Sequence, residues 1–190
     1  LDSMILGETE IVRQVQQCLE MAVSEGTGTK FFIQLFNAAY RTSKRARSET
    51  GIDKGTTSVA SAAVHMAERV GGKLSQRKAL VVGAGETGTL VSKYLKEKNA
   101  SLFIANRTLS KAEGLAACMS GKAVEMDGLE DTVNEMDLVI CATGSKTPLI
   151  TSQMVSRIQK RRGGRILQII DISLPHNVEP EVAEIDNVFF

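Results

Sequence analysis

The chain has 190 residues, is 43% hydrophobic and 24% charged, and carries a formal net charge of +1, as expected of an ordinary globular protein with one large domain or one domain and part of a second. A charge near zero excludes a global basic field for nucleic acid, and with no Trp and two Tyr aromatic base-stacking platforms are not expected. Three cysteines do not make a disulfide framework and fit a reducing, cytoplasmic setting; no run of about 18 apolar residues offers a membrane span, and Leu1 opens in mid-pattern without a signal peptide.

Residues 8–24 set Ile11, Val15, Leu19 and Ala22 about one helical turn apart, predicting an amphipathic helix that Gly26 and Gly28 end. A second helix is predicted over 30–47, with Phe31, Leu35, Ala38 and Ala39 on its apolar side; Gly51 and Gly55 break the chain after it. Ser58–Val70 is an Ala-rich third helix ending at Gly71-Gly72.

The period then changes. Lys78–Val82 is a short β-branched run, followed by a helix over Thr89–Lys98 and a strand over Leu102–Ala105. Next come a helix over Ser110–Met119 with Ser110 as its N-cap, and a weak strand over Ala123–Met126. Leu138–Cys141 and Ile166–Ile170 are strands on either side of a helix at Ser152–Arg161. This alternation predicts an α/β fold, a Rossmann-type doubly wound parallel sheet preceded by a helical segment. The boundary falls near Gly51–Ser58, giving a helical region 1–51 and an α/β domain 52–190 with the third helix leading into it.

The first strand runs directly into Gly83-Ala84-Gly85-Glu86-Thr87-Gly88, a G-x-G-x-x-G turn between a strand and a helix. Gly83 permits the tight turn, Gly85 lets the backbone approach a pyrophosphate, and Gly88 lets the helix pack near the sheet. The helix N-terminus supplies N–H groups and a favourable dipole. The plain alternative is an ordinary strand–helix turn. An NAD enzyme places Asp or Glu at the end of the next strand for the ribose 2′-hydroxyl. This chain has Asn106-Arg107-Thr108. No carboxylate repels a 2′-phosphate there, Arg107 presents a fork to it, Lys111 adds charge, and Asn106 and Thr108 offer donors. NADP(H) is therefore the expected cofactor; the alternative is that Arg107 is a solvated loop charge.

Ala142-Thr143-Gly144-Ser145 follows the fourth strand, and Thr143 and Gly144 leave room for a nicotinamide riboside. Asp171-Ile172-Ser173 follows the last strand on the same sheet edge. Cys141 ends a buried strand with no activating base nearby in sequence and reads as packing; Cys18 and Cys118, on helices, read the same way. His65 reads as packed or capped. No metal site is predicted.

Three stretches converge on one family. Leu1–Ile11, containing D-S-M-I-L-G-E, resembles the glutamyl-tRNA reductase signature at the end of the substrate domain. Lys44–Ile52 resembles that family's basic K-R-x-R-x-E-T segment. Val82–Gly88 and Ala105–Thr108 resemble its shikimate-dehydrogenase-like NADP domain, which Asp171–Pro175 and Glu179–Val182 resemble at its end. The resemblance runs along essentially the whole chain. It implies NADPH-dependent reduction of the glutamate carried on its tRNA to glutamate-1-semialdehyde, an early step of tetrapyrrole (porphyrin, heme) synthesis. It also implies a cysteine thiolate that attacks the aminoacyl ester, a thioester, departure of the tRNA, and hydride delivery from NADPH.

The family's catalytic Cys and a His that matters for activity lie upstream of the D-S-M-x-x-G-E motif. No catalytic residue is therefore assigned in this chain, and the fragment is expected to bind NADP without forming a thioester. By motif position Ser3, Glu8, Thr9, Glu10 and Gln14 match substrate-contacting positions, where an α-ammonium meets carboxylates and a substrate carboxylate meets hydroxyl or amide donors. The chain departs from the family at Glu10, commonly Gln, and at His176, commonly Arg. Read alone, Glu8 is a helix-start carboxylate favoured by the dipole. Arg41, Lys44, Arg45 and Arg47 form a basic cluster, either for tRNA phosphates or as a solvated helix face. The resemblance implies glutamyl-tRNA as substrate, glutamate-1-semialdehyde aminomutase as a partner for product transfer, and a homodimer formed through a C-terminal helical domain that this chain stops short of. Two rivals share the glycine loop: another shikimate-dehydrogenase-like NADP oxidoreductase, and a non-catalytic NADP-binding module. The first does not account for Ser3–Glu10 or Lys44–Ile52.

Overall fold

Helical spacing in the first fifty residues yields α1 (Thr9–Ser24) and α2 (Lys30–Thr50). Gly26 at φ 70° ends α1, its N–H donating to Val23 O over 3.1 Å. Thr29 caps α2 by accepting from Phe32 N–H. The second helix runs to Thr50, beyond the expected Arg47, because no breaker intervenes before Gly51. That glycine takes the left-handed conformation and donates to Arg47 O. A third helix, α3 (Val59–Gly71), starts at Ser58, whose Oγ accepts from Ser61 N–H.

The computed structural model describes residues 7–52 and 58–190 and divides into two compact units, Leu1–Ala62 and Ala63–Phe190. Ser3 and Gly55 lie outside the described residues. In the first unit α1 and α2 contact each other, and Arg47 Nη2 donates to Glu8 O over 3.0 Å. Neither helix has a buried residue, and Phe31, Phe32 and Leu35 are exposed.

The second unit contains β1 (Lys78–Val82), α4 (Glu86–Glu97), β2 (Ser101–Ala105), α5 (Leu109–Met119) and β3 (Lys122–Val124). It continues with α6 (Leu129–Glu135), β4 (Leu138–Cys141), α7 (Ser152–Arg162), β5 (Leu167–Asp171) and β6 (Val188–Phe189). The six strands form one parallel sheet in the order β3-β2-β1-β4-β5-β6. α4 and α5 contact each other, as do α6 and α7. Leu80, Val82, Val139, Cys141, Leu167 and Ile169 alternate onto one face and form a core with Val133 of α6 and Val155 and Ile158 of α7. Each such aliphatic side chain, fully buried, contributes roughly 1.5–3 kcal/mol. Val91 and Leu95 of α4 are also fully buried.

Arg162, 9% exposed, ends α7 among backbone carbonyls. Its guanidinium donates to Met136 O (2.8 Å), Arg165 O (3.1 Å), Ile166 O (2.7 Å) and Asn134 O, tying the end of α6 to the turn before β5. Burial lowers its pKa from the usual arginine value, and the group remains a cation.

Several boundaries differ from the sequence reading. α4 starts at Glu86, not Thr89, because Thr89 N–H already donates to Gly85 O over 2.9 Å. Thr108, not Ser110, is the N-cap of α5: its backbone is extended and its carbonyl accepts from Lys111 N–H. β3 is Lys122–Val124 and stops before Met126, which opens a 3-10 turn. α6, a second 3-10 turn at Pro180–Glu184, and β6 were not foreseen. Among the described residues no helix is long and apolar enough to cross a membrane.

Candidate functional site

β1 has β2 on one side and β4 on the other, so the connections leave its carboxyl end in opposite directions and open a crevice there. Three strand ends are locked side by side: Gly83 N–H donates to Ala105 O and Ala142 N–H to Val82 O, both over 2.8 Å. Gly83 lies at φ 117°, and a Cβ there would run into the Ala142 carbonyl. A Cβ on Gly88 would run into the Gly83 carbonyl, whereas one on Gly85 meets nothing within 4 Å. Gly83 and Gly88 are thus required by close packing, while Gly85 faces open space, the form a phosphate cradle takes. Thr87 and Gly88 stand in the first turn of α4, where helix geometry leaves N–H groups without intrahelical acceptors.

Beyond β2, Asn106 braces two loops. Its Oδ1 accepts from Ala84 N–H over 3.2 Å and its Nδ2 donates to Thr108 O over 3.0 Å. Its amide therefore holds the turn in shape. The exposed Arg107 and Lys111 line a crevice of about 220 Å³ together with Gly83, Ala84, Gly85, Thr108, Thr143 and Gly144. A neighbouring cleft of about 320 Å³ is walled by Val82, Asn106, Arg107, Met126, Thr143, Ser145 and Leu149. Residues chosen from three separate loops are thus brought together. Glu86 and Thr87 are exposed at the start of α4. Met126 and Leu149 were missed, since isolated apolar residues outside a periodic run carry no signal.

The far wall is a hydrogen-bonded bracket. The Asp171 carboxylate, with 1% of its side chain exposed, accepts from the backbone N–H groups of Ser173 (2.9 Å), Asn177 (2.7 Å) and Val178 (3.1 Å). His176 Nδ1 lies 3.4 Å from it. Ser173 Oγ accepts from Thr143 N–H over 3.1 Å, and the Thr143 hydroxyl donates to Asn177 Oδ1. Asn177 Nδ2 donates to Ser145 O (3.0 Å) and Pro175 O (3.2 Å). Asn177 was not singled out from sequence, because an Asn in a loop has no distinguishing pattern.

Cys141 is fully buried in the core; burial first, and the Asp171 charge second, push its thiol pKa far up, so it is no thiolate. Cys18 and Cys118, on α1 and α5, are exposed, which corrects their reading as packing residues. His65 is likewise exposed rather than packed. In the first unit Glu8 precedes α1, and Thr9, Glu10 and Gln14 lie in its first turns. The Glu10 carboxylate accepts from the Arg13 guanidinium. Among the described residues no group of His, Cys, Asp and Glu could hold a metal ion.

A glycine turn at the switch point of a doubly wound parallel sheet defines a dinucleotide-binding domain of the dehydrogenase type, and residues 65–190 match the family model described as shikimate / quinate 5-dehydrogenase. Residues 1–50 match the glutamyl-tRNAGlu reductase N-terminal domain. The chain is 44% identical over 189 residues to a glutamyl-tRNA reductase of Archaeoglobus fulgidus, covering 99% of this chain and 43% of that protein. The solved glutamyl-tRNA reductase of Methanopyrus kandleri superposes with a TM-score of 0.67 at 40% identity, over 98% of this chain and 47% of that one. The nucleotide-binding domain of glutamyl-tRNA reductase from Thermoplasma volcanium shares the fold, with a TM-score of 0.53 at 22% identity over 71% of this chain and 86% of that one. The chain belongs to the glutamyl-tRNA reductase family and spans under half the length of the full-length relatives it matches.

Proposed function

We propose that the chain is the NADP(H)-binding part of a glutamyl-tRNA reductase, acting in the reduction of tRNA-bound glutamate to glutamate-1-semialdehyde. The observation that carries the cofactor reading is the crevice where Arg107 and Lys111 flank the open space at Gly85, with no carboxylate at the end of β2. When bound, NADPH supplies the hydride. The chain's own residues bind and orient: the start of α4 meets the pyrophosphate, the Arg107 fork and the Lys111 ammonium meet the 2′-phosphate, and the Thr143–Gly144 backbone borders the nicotinamide riboside.

None of the three cysteines is the nucleophile in this proposal. Cys141 is buried and protonated, and Cys18 and Cys118 do not stand at the family's position for it. Glu8, Thr9, Glu10 and Gln14, with Ser3, belong to the glutamyl pocket. Glutamyl-tRNA as substrate, an aminomutase that takes the product, and dimerisation through a C-terminal helical domain belong to the whole reductase.

Titration of the chain with NADPH and NADH tests the reading. Arg107→Ala is expected to weaken NADPH binding on the order of tenfold to a hundredfold, the loss of a forked charge-assisted contact, and to leave the weaker NADH binding unchanged. Equal affinity for the two cofactors, or indifference to the substitution, would overturn it. Mixing the chain with NADPH and glutamyl-tRNA is expected to give binding without NADPH oxidation.

A further inference from the structure

The phosphates and the 2′ end of a dinucleotide are met by the loops after β1 and β2, and its nicotinamide end by the loops after β4 and β5. The β4 loop, Ala142 to Ser145, is irregular backbone built of small residues, with one internal hydrogen bond, from Ser145 N–H to the Thr143 hydroxyl. Further polar contacts come to it from the β5 loop. Thr143 N–H goes to Ser173 Oγ, the Thr143 hydroxyl to Asn177 Oδ1, and Ser145 O receives Asn177 Nδ2. Asn177 is 0% exposed and Ser173 is 4% exposed. The turn that carries them is set by the Asp171 carboxylate, which gathers three backbone N–H groups.

Resting on the NADP(H) reading above, we propose that Asn177 is the positioning residue for the nicotinamide end of the site, acting on the β4 loop through both Thr143 and Ser145. Thr143 lines both clefts, yet its hydroxyl is engaged by Asn177 and also accepts from Ser145 N–H over 2.8 Å. What the loop offers a ligand is therefore the course of its backbone at Thr143–Gly144, and Asn177 sets that course. Asn177 does not line either cleft, so it acts at one remove. The Asn106 brace does the equivalent for the other end, linking Ala84 N–H and Thr108 O. The two braces share no residue, so disturbing Asn177 should affect one half of the dinucleotide and spare the other.

The test compares NADPH with ADP-ribose 2′-phosphate, which lacks the nicotinamide, by calorimetry on the 190-residue chain. It also follows the emission of bound NADPH at saturation. Asn177→Asp removes both donated bonds and is expected to weaken NADPH about tenfold, while the fragment stays within about twofold. The emission of bound NADPH should move toward that of the free cofactor. Ser173→Ala removes one acceptor and little volume; it carries the test should Asn177→Asp fail to fold, with an expected loss of about threefold for NADPH alone. Equal weakening of both ligands, or of neither, would overturn the proposal. Failure of the unsubstituted chain to bind NADPH would overturn the cofactor reading and this inference with it. Selective NADPH binding with unselective variants would overturn this inference only.

Discussion

Two buried groups, one neutral and one charged, behave differently because of their partners. Cys141 lies in the apolar core with the Asp171 carboxylate beside it on the next strand, and burial first and that charge second keep its thiol protonated. Thiol titration with a disulfide reagent in native buffer should label Cys18 and Cys118 quickly, with Cys141 reacting only on unfolding. Fast reaction of all three would mean the β4 strand end is open. Arg162 is charged and nearly buried, but backbone carbonyls from α6 and the turn before β5 surround it. Arg162→Met keeps the apolar stem and abandons those carbonyls, so urea unfolding should show a loss of about 3 kcal/mol or more. Arg162→Lys should recover only part of this, since a single ammonium cannot reach carbonyls on two sides.

The glycine turn is where element and site coincide. Gly83→Ala forces a Cβ into the Ala142 carbonyl at φ 117°, and should lower stability by on the order of 2–4 kcal/mol. Gly85→Ala meets nothing in the protein and should leave the unfolding midpoint within about 0.5 kcal/mol of the original, while sharply weakening dinucleotide binding. Loss of stability in both, read by thermal melts beside cofactor titrations, would refute the division of labour between them. This turn was legible in sequence because glycine positions report backbone geometry directly, and β1, β4 and β5 were legible as short apolar, β-branched runs. α6 was not legible: its seven residues offer only Leu129 and Val133 as a buried pair, too short a stretch for a period. β6 is two residues long, and its place is given by pairing with Leu167 and Gln168, which no local pattern encodes. The bracket from Asp171 to Asn177 escaped for a related reason. Its meaning lies in bonds to residues about thirty positions away, although Asp171 and Ser173 themselves stood out by position.

At the scale of the whole chain the two units differ in kind. The sheet unit has a continuous aliphatic core, whereas α1 and α2 have no buried residue between them and expose Phe31, Phe32 and Leu35. Hydrogen exchange should separate them, with amides of α1 and α2 exchanging at least about a hundredfold faster than those of β1 and β4. Uniform protection would contradict that difference. The sheet order has a further consequence. Because the strand order reverses at β1, the segment 106–111 follows β2 on one side of it and the segment 171–178 ends β5 on the other, and the two are braced by different side chains. Under the NADP(H) reading proposed above, coenzyme choice and hydride geometry are then independently heritable traits. On that reading, a lineage or an engineer that replaces residues 106–111 with an acidic segment is expected to change which coenzyme is taken and to leave the 171–178 bracket untouched.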